Sequence, residues 1–252
     1  MTDLTGEVAL VTGSSRGIGA AIAELFAASG AAVAVHGRDA AAAAAVTARI
    51  TAAGGRAVCV IADVTRYDEI EAMREAVRRD LGPVTVLVAN AGGNPVRPGP
   101  VEEITEAGWR ESVDANLTAT FLTVKAFLPG MRRQGRGTII TMSSAASRRP
   151  TAMSPVAYAA AKAGIEVLTR QVALQAGADG IRACCLAPET ILTESNLRQI
   201  PPDVRERMGA AHPVPRLGTP QDVAQAALFL ASDQSAWVSG VVLDVAGGSV
   251  LA

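Results

Sequence analysis

The sequence predicts an α/β protein: a parallel, doubly wound sheet of seven strands with helices on both faces, in one domain spanning residues 1–252. Three observations predict it. Short β-branched runs alternate with longer segments of helical period, the runs are apolar at nearly every position, and a glycine-rich turn joins the first run to the first helix.

The runs are "EVALVTG", "AAVAVHG", "RAVCVIADV", "VTVLVANAG", "GTIITMSS", "IRACCLAP" and "GVVLDVAGG". A strand covered on one face alternates apolar and polar residues, whereas these do not, so both faces are expected to be covered. Between them, helical period runs over 19–29, 39–53, 67–81, 105–133, 154–176 and 220–231. The alanine-rich stretch at 39–53 needs no special role, since alanine is the best helix former. The interval 189–218 lacks a clear element, because Pro201, Pro202, Pro213 and Pro215 interrupt helical period. It is expected to be a substrate loop at the carboxyl edge of the sheet.

Composition excludes several classes. The formal net charge is −1 and the arginines are spread along the chain, which argues against nucleic acid or a membrane surface as partner. The start lacks a basic flank followed by a long apolar run, and no segment has the length of a membrane span, so a cytoplasmic protein is expected. Cys59, Cys184 and Cys185 are an odd count that fits a reducing compartment, and all three are expected as buried small hydrophobes. His36 and His212 lack neighbours at metal-ligand spacing, so no metal is expected.

"TGSSRGIG" carries Gly13, Ser14, Ser15, Arg16, Gly17, Ile18 and Gly19 from strand into helix. Such a turn lets the backbone approach a diphosphate, and the helix start offers unpaired N–H groups. After the second run, where an acidic residue would hold the ribose hydroxyls of NAD, stand Gly37 and Arg38. A guanidinium forks well onto a 2′-phosphate, and Arg16 is near enough in sequence logic to share it, so NADP(H) is expected over NAD(H). Asp63, followed by Val64, is expected at the adenine.

"AYAAAKAG" places Tyr158 and Lys162 four residues apart in a chain with two tyrosines and two lysines. Chance gives this spacing in roughly one such chain in sixty. On a helix the pair shares a face. An ammonium about 4 Å from a phenol, at an effective dielectric near 20, contributes about 4 kcal/mol, or up to about three pKa units. The phenol is therefore expected near pH 7, acidic enough to exchange protons.

Together these residues resemble the short-chain dehydrogenase/reductase family over nearly the whole chain, and its 3-oxoacyl-[acyl-carrier-protein] reductases in particular. The resemblance rests on Thr12, Gly13, Gly17 and Gly19 in the turn, on "ANAG" with Asn90, Ala91 and Gly92, on Asn116 in "DANLTATF", on "TMSS", and on Tyr158 with Lys162. It implies a Rossmann-like domain, a nicotinamide cofactor, and a catalytic set of Asn116, Ser144, Tyr158 and Lys162, the last two also touching cofactor. Asn116 would hold a water linking Lys162 to solvent. Family spacing from the tyrosine falls on Ala145, so Ser144 assumes one inserted residue, and Ser143 and Ser147 remain candidates. Pro188, Ile191 and Thr193 would hold the carboxamide end, although Cys184 and Glu189 replace the family's asparagine and glycine in that segment. A homotetramer through 105–133 and 154–176 is also implied.

The expected reaction is hydride transfer between nicotinamide and a small carbonyl or alcohol, with a 3-oxoacyl thioester as the leading substrate. Arg148 and Arg149 stand where an acidic carrier would meet the chain, or in a solvated loop. The alternative is a noncatalytic cofactor-binding sensor or assembly subunit on the same fold, which would have no use for an activated phenol.

Overall fold

The structure, a computed structural model, describes residues 3–152 and 154–250. Its strands are β1 (Val8–Val11), β2 (Ala32–Gly37), β3 (Arg56–Ile61), β4 (Val86–Ala89), β5 (Gly137–Met142), β6 (Ile181–Pro188) and β7 (Val242–Val245). They form one sheet in the order β3-β2-β1-β4-β5-β6-β7, every neighbouring pair parallel. The chain reverses its direction of travel across the sheet between β1 and β4, which opens a crevice at their carboxyl ends.

One face is covered by α1 (Gly17–Ala28), α2 (Ala40–Ala52) and α10 (Pro220–Ala231), whose Ile22, Phe26, Val46 and Val223 pack on Val11, Val33 and Leu186. The other is covered by α3 (Tyr67–Asp80), α5 (Ala119–Gln134) and α7 (Val156–Ala176), with Ile70, Phe127, Met131 and Val172 against Leu10, Leu87 and Ile139. Burial on both faces is why the central runs lack alternation. β3 is an edge strand, and there the expectation of three buried cysteines fails: Cys184 and Cys185 are buried, but Cys59 is exposed.

Two helical expectations are refined. The segment expected as one helix over 105–133 is α4 (Glu106–Val113), a π turn at Asp114–Thr118, and then α5. The wider turn inserts an extra residue per revolution, and Asn116 within it is wholly buried. The interval 189–218 contains α8 (Glu194–Gln199) and α9 (Pro202–Ala210). Its prolines bound a helix instead of breaking one: Pro201 is the N-cap of α9 and Pro202 its first residue, where a missing N–H costs nothing.

Candidate active site

The glycine turn is held by a side chain that motif reading passes over. His36 Nε2 faces the Ala62 carbonyl at 3.0 Å, so it carries the hydrogen, and Nδ1 accepts the Gly13 N–H at 2.9 Å. Burial keeps this ring neutral by lowering its pKa. Ser14 serves the same scaffold. Its Oγ donates to the Val11 carbonyl and accepts the His36 N–H, so its side chain faces inward, away from the crevice. Thr12 Oγ1 accepts the N–H groups of Asn90 and Ala91, tying the ends of β1 and β4 together. Gly13 has φ +65°, and a Cβ there would lie 2.9 Å from Ala91 Cα; one on Gly19 would collide with the Gly13 carbonyl oxygen.

This turn fits a diphosphate. No side chain caps α1, its first turn holds no acidic residue, and its start faces a cavity of about 450 Å³ lined by Gly13, Arg16, Gly17 and Ile18. A second cavity, of about 970 Å³, continues past Ser15 to Arg38, Asp63 and Val64, with Asn90, Ala91 and Gly92 on its wall. Arg38 is exposed there and has no ion-pair or hydrogen-bond partner among the described residues. Arg16 instead pairs with Asp39 at 2.9 Å.

The first cavity also brings together Ser144, Tyr158, Lys162, Pro188, Ile191 and Thr193. Tyr158 and Lys162 lie one turn apart on α7, as their spacing requires. The Ser144 side chain faces Tyr158 and favours its phenolate. Ser144 caps the short helix α6 (Ala145–Arg148), with the Ala146 N–H donating to its Oγ at 3.2 Å, which leaves the hydroxyl hydrogen free for Tyr158 or a substrate oxygen. Ser143 and Ser147 are committed elsewhere. Both reach Glu166 Oε1, at 2.9 and 2.7 Å, and Glu166 is a buried carboxylate one turn beyond Lys162. Nothing in the family motifs signals Glu166; its i+4 spacing from Lys162 is the available clue.

The electrostatics correct one expectation. Lys162 Nζ donates to the Met142 carbonyl at 2.8 Å and lies 5.4 Å from the Tyr158 ring centre. Burial lowers the Lys162 pKa to about 8. Burial also raises the phenol above its ordinary value, and the Ser144 hydrogen bond only partly offsets this. In the protein alone burial therefore holds the phenol above its ordinary value instead of bringing it near 7.

Asn116 lies behind this wall. Its Oδ1 accepts the Gly93 N–H at 3.2 Å, and its Nδ2 donates to the carbonyls of Gly93 and Ser112. It makes no direct hydrogen bond to Lys162. Cys184 lies in the core with Sγ toward the Val238 carbonyl, so the loss of the family asparagine there does not face the crevice, whereas Glu189 lines it. Arg148 is neither in a solvated loop nor open to a partner: it pairs with Asp244 at 2.9 Å and Glu166 at 3.5 Å, while Arg149 donates to the Ser249 carbonyl. Among the described residues there is no cluster of metal-binding side chains and no helix long and apolar enough to cross a membrane.

This fold is shared with known proteins. The family model described as enoyl-(acyl carrier protein) reductase matches residues 13–249. A cis-4-hydroxycyclohexanecarboxylate dehydrogenase of Sinomonas cyclohexanicum is 41 % identical over 241 residues, 96 % of this chain and 95 % of that protein. Among solved structures, a 7α-hydroxysteroid dehydrogenase complexed with NADH and 7-oxo glycochenodeoxycholic acid superposes with a TM-score of 0.93 at 37 % identity, covering 99 % of this chain and 96 % of the other. A 3-oxoacyl-[acyl-carrier protein] reductase with bound NAD from Brucella melitensis gives 0.90 at 36 %, covering 100 % and 94 %. A gluconate 5-dehydrogenase from Burkholderia cenocepacia in complex with NADP and tartrate gives 0.91 at 31 %, covering 98 % and 96 %. The chain belongs to the short-chain dehydrogenase/reductase family and is an oxidoreductase.

Proposed function

We propose that the chain is an NADP(H)-dependent oxidoreductase that interconverts a carbonyl and an alcohol, with residues 1–252 acting as one dinucleotide-binding and catalytic domain. The observation that carries this reading is the meeting of Ser144, Tyr158 and Lys162 in one cavity with the uncapped start of α1. The cofactor, when bound, supplies or accepts the hydride. Tyr158 gives its phenolic proton to the carbonyl oxygen during reduction and takes it back during oxidation. Ser144 donates its free hydroxyl hydrogen to that oxygen and stabilises the developing charge. Lys162 holds positive charge beneath the phenol and limits the cost of phenolate formation. Arg38, with no ion pair or hydrogen bond among the described residues, supports NADP(H) over NAD(H), since a 2′-phosphate would give it charge-assisted hydrogen bonds. The relatives themselves carry NADH, NAD and NADP, so this choice rests on Arg38.

A 3-oxoacyl thioester leads the substrate proposals, supported by the match to acyl-carrier-protein reductases. The cation placed to meet an acidic substrate is Arg198 of α8, which lines the cavity without a partner among the described residues. Exposed Phe121, Val167 and Leu174 on α5 and α7 support a homotetramer, testable by sedimentation. The deciding experiment follows loss of NADPH absorbance with acetoacetyl-CoA, 4-oxocyclohexanecarboxylate, 5-oxogluconate and a 7-oxo bile acid. Turnover on any of them supports the enzyme; tight NADPH binding with no turnover on a wide carbonyl and alcohol panel favours the sensor.

A further inference from the structure

Glu189, which stands where the family has glycine, is paired with His212 across the segment whose α8 lines the crevice. His212 Nδ1 lies 2.7 Å from the Met208 carbonyl and Nε2 lies 2.8 Å from Glu189 Oε2. A carbonyl only accepts, so Nδ1 carries a hydrogen. With Glu189 as a carboxylate, which also only accepts, Nε2 carries one too and the ring is an imidazolium. The contact is then a charge-assisted hydrogen bond, with the His212 and Glu189 side chains 10 % and 26 % exposed.

Its placement ties two parts of the site. Glu189 shares one wall with Ser144, Tyr158 and Lys162, and shares a smaller cavity of about 220 Å³ with His212. Between the two residues run α8 and α9, and Glu194, Asn196 and Arg198 of α8 line the crevice. Backbone bonds from Leu192 to Gly218 and from Val214 to Gly247 anchor the base of this segment. The side-chain pair adds a link from its returning end to the residue next to Pro188.

We propose that Glu189 and His212 form a clasp that holds the α8–α9 segment over the catalytic crevice, so that both are positioning residues for substrate. The proposal rests on reading that crevice as the active site. The charged groups around His212 are Glu189, Asp244 of β7, Arg216 before α10, Asp222 in the first turn of α10, and Arg149 after α6. Asp222 is taken by Arg216 at 2.7 Å and Asp244 by Arg148, which leaves Glu189 as the carboxylate that holds the imidazolium. Burial opposes that charge, but the Met208 carbonyl and Glu189 outweigh it and raise the ring's pKa, even against Arg149. Deprotonation at higher pH removes one of the two hydrogens, so the ring no longer donates to Met208 and Glu189 together and the clasp weakens.

The chain has two histidines, so NMR of the full-length protein gives two imidazole signals, assigned with His212→Gln. Three results are expected. The His212 signal titrates above the ordinary value of about 6.5 and moves down in Glu189→Gln. Amide exchange over 194–210, corrected for its intrinsic pH dependence, speeds up several-fold as pH crosses that titration, and is fast throughout in Glu189→Gln. With acetoacetyl-CoA as probe, or whichever carbonyl of the panel is reduced, KM rises several-fold over the same range while kcat keeps its own profile. A His212 titrating at or below about 6.5 in the unaltered protein overturns the clasp, as does exchange unchanged by Glu189→Gln; a KM flat across the range overturns the positioning role. The titration and exchange need no substrate, so absence of turnover would sink the enzyme reading while leaving the clasp to its own test.

Discussion

Lys162 stands 5.4 Å from the centre of the Tyr158 ring, on the same face of α7, with its ammonium anchored on the Met142 carbonyl. The chain's other lysine and tyrosine also meet, Lys125 lying 4.6 Å over Tyr67, but on the protein surface. Burial separates the two pairs: Lys162 is withdrawn from water, whereas Tyr67 and Lys125 are exposed.

Tyr158→Phe is expected to lower kcat by about 10²- to 10⁴-fold, the usual worth of a positioned acid, while NADPH affinity by fluorescence titration changes by less than about twofold. A variant with near-normal turnover removes Tyr158 as the acid.

The pH profiles should run in opposite senses. The phenol is held above its ordinary value and Lys162 is lowered to about 8, so at neutral pH Tyr158 is protonated and Lys162 charged. Carbonyl reduction, which needs the protonated phenol, is expected to plateau at neutral pH and fall on the alkaline side. Alcohol oxidation needs phenolate and is expected to climb with pH. Steady-state kcat in each direction checks this, and a reduction rate that rises with alkalinity contradicts it.

Lys162→Met should trade activity for stability. The ammonium is buried with one hydrogen bond to a neutral carbonyl, and desolvation dominates its pKa. An apolar chain of similar length removes that cost, so unfolding in urea is expected to need about 1–3 kcal/mol more, with an unchanged m value, while turnover is lost.

Arg38→Asp is expected to weaken NADPH binding by about tenfold or more and NADH binding by less, since a carboxylate repels a 2′-phosphate but accepts from ribose hydroxyls. Equal losses for the two cofactors, measured by calorimetry, would remove Arg38 from the site.

His36→Leu leaves the Gly13 N–H without its acceptor, which costs about 1–3 kcal/mol. Weaker NADPH binding and a lower melting temperature should appear together. In the unaltered protein the folded-state pKa of His36 is depressed, so the unfolded chain binds the extra proton first. Its contribution is therefore complete above about 6.5 and is lost as pH falls through the folded-state value, a loss the variant should not show.

Much of this was legible as pattern. Runs without alternation gave seven strands of a covered parallel sheet, and Pro220–Ala231 was bounded as expected. Cys59 escaped because edge position depends on strand order, which no local pattern records. The helices in 189–218 are hidden in the sequence because proline interrupts helical period, whereas Pro201 and Pro202 sit at a helix start. Glu166, His36 and His212 escaped for a different reason: each acts through partners 19 to 26 positions away in sequence.

The sequence by itself determined the parallel sheet, the glycine turn and the shared face of Tyr158 and Lys162, because strand period, backbone freedom at glycine and helical geometry are local properties. Tertiary structure alone decided which serine meets Tyr158, which way its pKa moves, and which carboxylate holds His212. Those outcomes depend on desolvation and on contacts between distant segments, and neither exists until the chain has folded.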